Sequence, residues 1–205
     1  MGADTLAWLF SASAFAVAMS GTPGPNNAMV AASGANFGFP RTLPHILGIA
    51  VGFPVMLVAV ALGAGDVLRT VPVLHLVLKW AGAAYLLWLA FKIGTARPGG
   101  AEAKMRARPL TFLQAALFQW VNPKAWIIAL GGIATYTTAN GGAIVVQALA
   151  LALIFLVATV PATVFWTMTG VGAARLLRTE RAMRGFNLAM AALLVASLAP
   201  LLLES

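Results

Sequence analysis

Cysteine is absent from the 205 residues, which excludes disulfides, thiol nucleophiles and iron-sulfur ligation and leaves the redox compartment open. Acidic residues are nearly as scarce. Asp4, Asp66, Glu102, Glu180 and Glu204 are the five, all in expected loops or at the ends of apolar runs, so no carboxylate stands within a run as a proton relay or as the partner of a cationic solute. The two histidines, His45 and His75, are too far apart to suggest a metal site, and the scattered methionines read as core. No cofactor is expected. Ser20 and His45 have only nearness in sequence to suggest a hydrolase, so an enzyme is not expected either.

What the chain does have is apolar length. Hydrophobic residues make up 61% and charged residues 9%, with a mean hydropathy of +0.91, beyond what a soluble domain of this size tolerates. The composition predicts an all-α polytopic membrane protein, because helices satisfy their own backbone in lipid. Six stretches meet the requirement of about 20 residues for a spanning helix: about 6 to 32, 42 to 64, 71 to 93, 111 to 134, 143 to 172 and 185 to 203. One transmembrane domain over 1–205 follows, with three spans in 1–93, a polar connection over 94–110 and three more spans in 111–205. Nothing at the start reads as a cleaved signal peptide, since Asp4 stands where basic residues belong.

The net charge of +8 does not imply nucleic acid, because the basic residues sit in short connections rather than along a helix face. Ten of the thirteen fall on connections one, three and five: Arg41; Lys92, Arg97, Lys104, Arg106 and Arg108; Arg175, Arg178, Arg181 and Arg184. Positive residues gather on the cytoplasmic side, which predicts both termini outside. Three spans per half then predict a 3+3 inverted repeat.

Two interruptions organise the rest. Thr22, Pro23, Gly24, Pro25, Asn26 and Asn27 break the first span, because two prolines remove backbone donors and clash with the preceding turn. Asn122, Pro123 and Lys124 interrupt the fourth span at the corresponding place, and paired broken segments point to a transporter's binding site. Pro161 is expected to divide the long fifth run in the same way. Within the fourth run Lys124 lies beyond easy reach of either interface, which makes it the charge expected to meet an anionic group, helped by helix starts after Pro25 and Pro123. The alternative is a lysine merely solvated in a vestibule. Asn26, Asn27 and Asn122 suit a zwitterion or the backbone of their own broken helices, and Gln119, a turn before Pro123, can face the same cavity.

Small residues mark expected helix contacts. Gly34 and Gly38, and Gly48 and Gly52, have GxxxG spacing and read as packing or homodimer positions, as do Gly170 and Gly172. His45, a turn past Arg41, reads as an interfacial or packing residue, and Trp80, Tyr85 and Trp88 as packing or interface aromatics.

Pro23-Gly24-Pro25, the glycines from Gly34 to Gly52, the run from Lys79 to Leu89 and the segment from Phe112 to Ala125 together resemble the LysE/RhtB family of amino-acid exporters. The resemblance covers nearly the whole chain. It implies a bacterial plasma-membrane efflux protein of six hydrophobic segments, exporting amino acids or derivatives by exchange or on a proton or sodium gradient. Many relatives carry a glycine where this chain has Ala115 and Ala116, and a polar or acidic residue where it has Phe53, which counts against acid-mediated proton coupling here. A passive pore, or a carrier of another small solute or cation, is the alternative. The site residues so assigned are Pro23, Gly24, Pro25, Asn26, Asn27, Gln119, Asn122, Pro123 and Lys124, for a small neutral amino acid.

Overall fold

Proline, glycine and asparagine set the boundaries of the helices that matter most. The computed structural model describes residues 2–96, 108–138, 142–177 and 179–199, and every regular element among them is helical. Arg97, Glu102, Lys104, Arg106, Arg178 and Glu204 lie outside the described residues, as do the side chains of Arg69 and His75.

Helix α1 (Ala3–Gly21) stops at the proline pair, and α2 (Pro25–Phe37) restarts with Pro25 at its first position, where a missing N–H leaves no orphan. The two are bent by 52°. Gly38, at φ 79°, makes the turn into α3 (Phe39–Ala59), a backbone conformation that a side chain would strain. A π-helical turn (Val60–Ala64) with Gly63 at φ 109° leads into the short α4 (Gly65–Thr70), and α5 (Pro72–Gly94) returns.

The second half opens with α6 (Phe112–Phe118), held at its start by a reciprocal pair in which Thr111 Oγ1 accepts from the Gln114 N–H and Gln114 Oε1 from the Thr111 N–H. A 3-10 turn (Gln119–Val121) and Asn122 in extended conformation separate it from α7 (Pro123–Tyr136). The expected fourth span is thus two helices, neither long enough to cross alone. Helix α8 (Gly142–Leu176) and α9 (Glu180–Ala196) complete the described chain. Among the described residues three helices are long and apolar enough to cross a membrane by themselves, and four spans result if the bent α1–α2 pair is one.

One expectation is corrected. Pro161 does not divide the fifth run: α8 continues through it for 35 residues. A single proline removes one backbone donor, the one to the Val157 carbonyl, and the remaining hydrogen bonds carry the helix on. Two prolines flanking a glycine remove two donors within one turn.

Helix α8 is the post against which α1, α2 and α3 pack. Without water to expel between helices, association rests on close fit, and small residues provide it. A Cβ on Gly34 would strike the Thr167 carbonyl of α8, and one on Gly170 would strike the Ala31 carbonyl of α2. Gly48 and Gly52 meet Phe112, Ala115 and Ala116 of α6 in the same way, so the alanines at which the chain departs from the family it resembles are themselves contact positions. These glycines are used in packing within one chain. His45, read as an interfacial or packing residue, is buried, with Nδ1 3.4 Å from Ser33 Oγ.

Candidate functional site

A helix end leaves its last carbonyls without intrahelical partners, so the fate of those groups is the first question at the α1–α2 break. All of them are engaged. The Ala18 carbonyl accepts from the Thr22 N–H, Met19 from Thr22 Oγ1, and Gly21 from the indole N–H of Trp166 at 3.0 Å. Asn27 Nδ2 donates to the carbonyls of Ser20 and Thr22, both at 2.8 Å. Lys124 Nζ donates to Thr22 O at 2.9 Å, Thr22 Oγ1 at 2.7 Å and Pro23 O at 3.2 Å. The three donors of the ammonium are therefore all occupied by the opposite break.

The two helix starts differ. At α7, Asn122 Oδ1 accepts from the Lys124 N–H, and the Asn122 carbonyl accepts from the N–H groups of Ala125 and Trp126. That start is closed by its own cap. At α2, Gly24 is fully extended and supplies no side chain, its carbonyl taking the Ala28 N–H, while the N–H groups of Asn26 and Asn27 have no partner among the described residues. Of the two expected positive ends, only that of α2 keeps donors to offer.

Both breaks border one cavity of about 50 Å³. Gly24, Asn26, Asn27, Asn122 and Lys124 line it, together with Ser20, Thr159 and Thr163 on the polar side and Ile49, Phe53, Ile128 and Phe155 on the apolar side. Pro23, Pro25 and Pro123 shape the breaks without lining the space. Gln119, expected to face it, stands fully buried behind Asn26, with the two amides paired reciprocally at 2.9 and 3.2 Å. With Asn27 Nδ2 held by two carbonyls, the oxygen of that amide is the atom left for the cavity. At about 10–15 Å³ per water, the space holds only a handful of waters, so a solute much larger requires the helices to part.

Sequence weighed Ser20 only as a hydrolase nucleophile and did not single out Thr159 and Thr163, although a signal existed. Thr159 and Thr163 lie four apart on one face of an otherwise apolar helix, and Ser20 Oγ sits 3.3 Å from Thr159 Oγ1. Ser20 and His45 take separate partners, so the hydrolase pairing does not form in this structure. Phe53 and Phe155 meet edge to face at 4.9 Å and wall the cavity opposite the asparagines.

Known proteins include partial relatives of this chain. A cysteine/O-acetylserine efflux protein of Salmonella paratyphi A is 33% identical over 115 residues, and that of Escherichia coli K12 is 34% identical over 116. Each match covers 56% of this chain and 58% of the relative, so the aligned stretch spans little more than half of either. No solved structure matches the chain. The profile of the LysE type translocators matches residues 17–205, which include both breaks and the whole cavity, and the chain belongs to that family.

Proposed function

We propose that the chain is a secondary exporter of a small neutral amino acid or amino-acid derivative in the bacterial inner membrane. The observation that carries this reading is the bridge from Lys124 to Thr22 and Pro23, which joins the two broken helices at a cavity with charge-bearing donors on one side and an aromatic wall on the other. In this reading the spans are the bent α1–α2 pair, α3, α5, the divided α6–α7 pair, α8 and α9. They form two inverted halves about the breaks, with both termini outside. A C-terminal phosphatase fusion is then active, and an inactive one would reverse the orientation.

A carboxylate entering the cavity meets the free N–H groups of α2 and competes with Thr22 and Pro23 for the Lys124 ammonium. Charge-assisted bonds to a carboxylate are stronger than those to neutral carbonyls, so the exchange is favourable where water is excluded. The substrate ammonium then finds Asn27 Oδ1 and the carbonyls released by Lys124. Its side chain lies toward Phe53 and Phe155, where no carboxylate waits for a second positive charge. Asp66, the nearest acid by sequence, is exposed beyond the Gly63 kink and does not border the cavity. Neutral relatives of cysteine and O-acetylserine fit this arrangement, in keeping with the names of the similar proteins.

The test is competition for flux in proteoliposomes. Serine, threonine, cysteine and O-acetylserine are expected to compete with one another with saturation and counterflow, and lysine and arginine to compete at least tenfold more weakly, since an unpaired charge in such a site costs several kcal/mol. Flux that is linear in concentration, without counterflow, would make the protein a passive pore. Better competition by lysine would overturn the neutral-substrate assignment.

A further inference from the structure

A second concave surface lies away from the cavity, between α5 and α6, and encloses about 730 Å³. Its shape follows from one contact. At Gly82 a Cβ would collide with the Val121 carbonyl, so α5 is pressed against the 3-10 turn there, and toward the C-terminal end of α5 the space between the helices opens into a groove. Ala81, Tyr85, Trp88 and Lys92 recur every three or four residues and form one face of α5 along it. The floor is an aromatic ladder: Lys92 Nζ lies 4.9 Å above the Trp88 ring, Trp88 is 5.5 Å from Tyr85, and Tyr85 is 5.6 Å from Phe118.

Polarity changes along the groove. The narrow end is apolar, bordered by Ala81, Leu117 and Val121, whereas the wide end carries Lys92, Arg108, Thr111 and Gln114. Among the described residues neither Lys92 nor Arg108 has an acidic partner, and both are exposed. Trp88 and Leu117, 49% and 57% exposed, open the groove outward rather than toward the core. From Ala81 to Lys92 the helix rises about 16 Å, and one leaflet of a hydrocarbon core of about 30 Å is about 15 Å deep. The groove thus has the length of one acyl chain and ends in two cations at the depth of a headgroup.

We propose that this groove binds an anionic phospholipid of the leaflet on the side where the basic connections gather, with an acyl chain along Tyr85 and Leu117 and the phosphate between Lys92 and Arg108. Zwitterionic lipid has the same chains but offers the cations no net charge, so discrimination comes from the wide end and retention from the narrow one. The assignment does not depend on the exported substrate.

Native mass spectrometry of the purified full chain tests it, with phosphatidylglycerol and phosphatidylethanolamine of identical acyl chains as the two probes. The wild type is expected to retain phosphatidylglycerol on the order of tenfold more, given two basic residues near the headgroup. Lys92→Gln with Arg108→Gln removes that preference, singly in part and together in full, while Arg175→Gln on another connection keeps it. Ala81→Trp fills the narrow end and lowers retention of both lipids, leaving the charges untouched. Glycerol phosphate in millimolar excess leaves the bound lipid in place. Equal retention of the two lipids by the wild type, an unchanged preference in the double variant, displacement by glycerol phosphate, or a second copy of the chain occupying the groove would each overturn the proposal.

Discussion

The ammonium of Lys124 holds the first break from the second, and its removal has two separable effects. Lys124→Met keeps the apolar stem but leaves Pro23 O without its donor and Thr22 O with Asn27 Nδ2 alone; both residues are exposed, so the stability loss is expected to stay at the ordinary net worth of a hydrogen bond, about 0.5–1.5 kcal/mol. Transport is expected to fall by at least tenfold, because a bond to a charged group is worth about 1.5–3 kcal/mol at 1.4 kcal/mol per decade. Initial uptake rates set beside a melting curve separate the two. Gly24→Ala is the gentler test. A Cβ there would lie 2.7 Å from Lys124 Cδ and 3.1 Å from Nζ, while the extended backbone accepts any residue. The substitution moves the lysine off its three oxygens without removing it, so transport is expected to drop while the melting temperature changes little. Equal loss of both would mean that Gly24 serves packing alone. Lys124 stood out in the sequence because a charge in an apolar run is rare. Its three oxygen partners were not, since they are backbone and hydroxyl groups more than a hundred residues away.

At the scale of elements, the boundaries were legible wherever backbone chemistry forced them. Pro25 and Pro123 each open a helix, and Gly38 and Gly63 take conformations that other residues avoid. Pro161 misled because a lone proline costs a helix one hydrogen bond, which a long helix packed along its length tolerates. Gln119 misled for a different reason: its distance from Pro123 was clear, but the reciprocal amide pair with Asn26 that turns it away from the cavity is a tertiary contact. The glycine contacts yield a stability test. Gly170→Ala puts a methyl into the Ala31 carbonyl and within 3.0 Å of Ala35 N, so α2 and α8 must part. A loss of about 1–3 kcal/mol is expected, the usual range for overpacking, read as a lower melting temperature in detergent. Gly172→Ala has open space around it and serves as the control. A Gly170→Ala protein as stable as its Gly172→Ala counterpart would show that α2 and α8 are less tightly apposed.

For the whole molecule, composition alone established a helical membrane protein, and the order of its motifs pointed to the family that the profile match then showed. The cavity walls were less legible. Phe53 and Phe155 come from separate helices, and nothing in either local sequence says that they meet. The absence of cysteine makes the central claim, that the cavity between the breaks receives the transported amino acid, directly measurable. Thr159→Cys places a single thiol on the cavity wall beside Ser20, and Gly172→Cys places one in open space as a control. The decisive quantity is the rate at which a small thiol reagent modifies each variant as amino acid is added. A small neutral amino acid is expected to slow modification of the Thr159→Cys protein several-fold and saturably, while lysine does not and the Gly172→Cys rate stays constant. A Thr159→Cys protein that still transports, yet is labelled at the same rate with and without its substrate, would contradict the placement of the site between the two breaks.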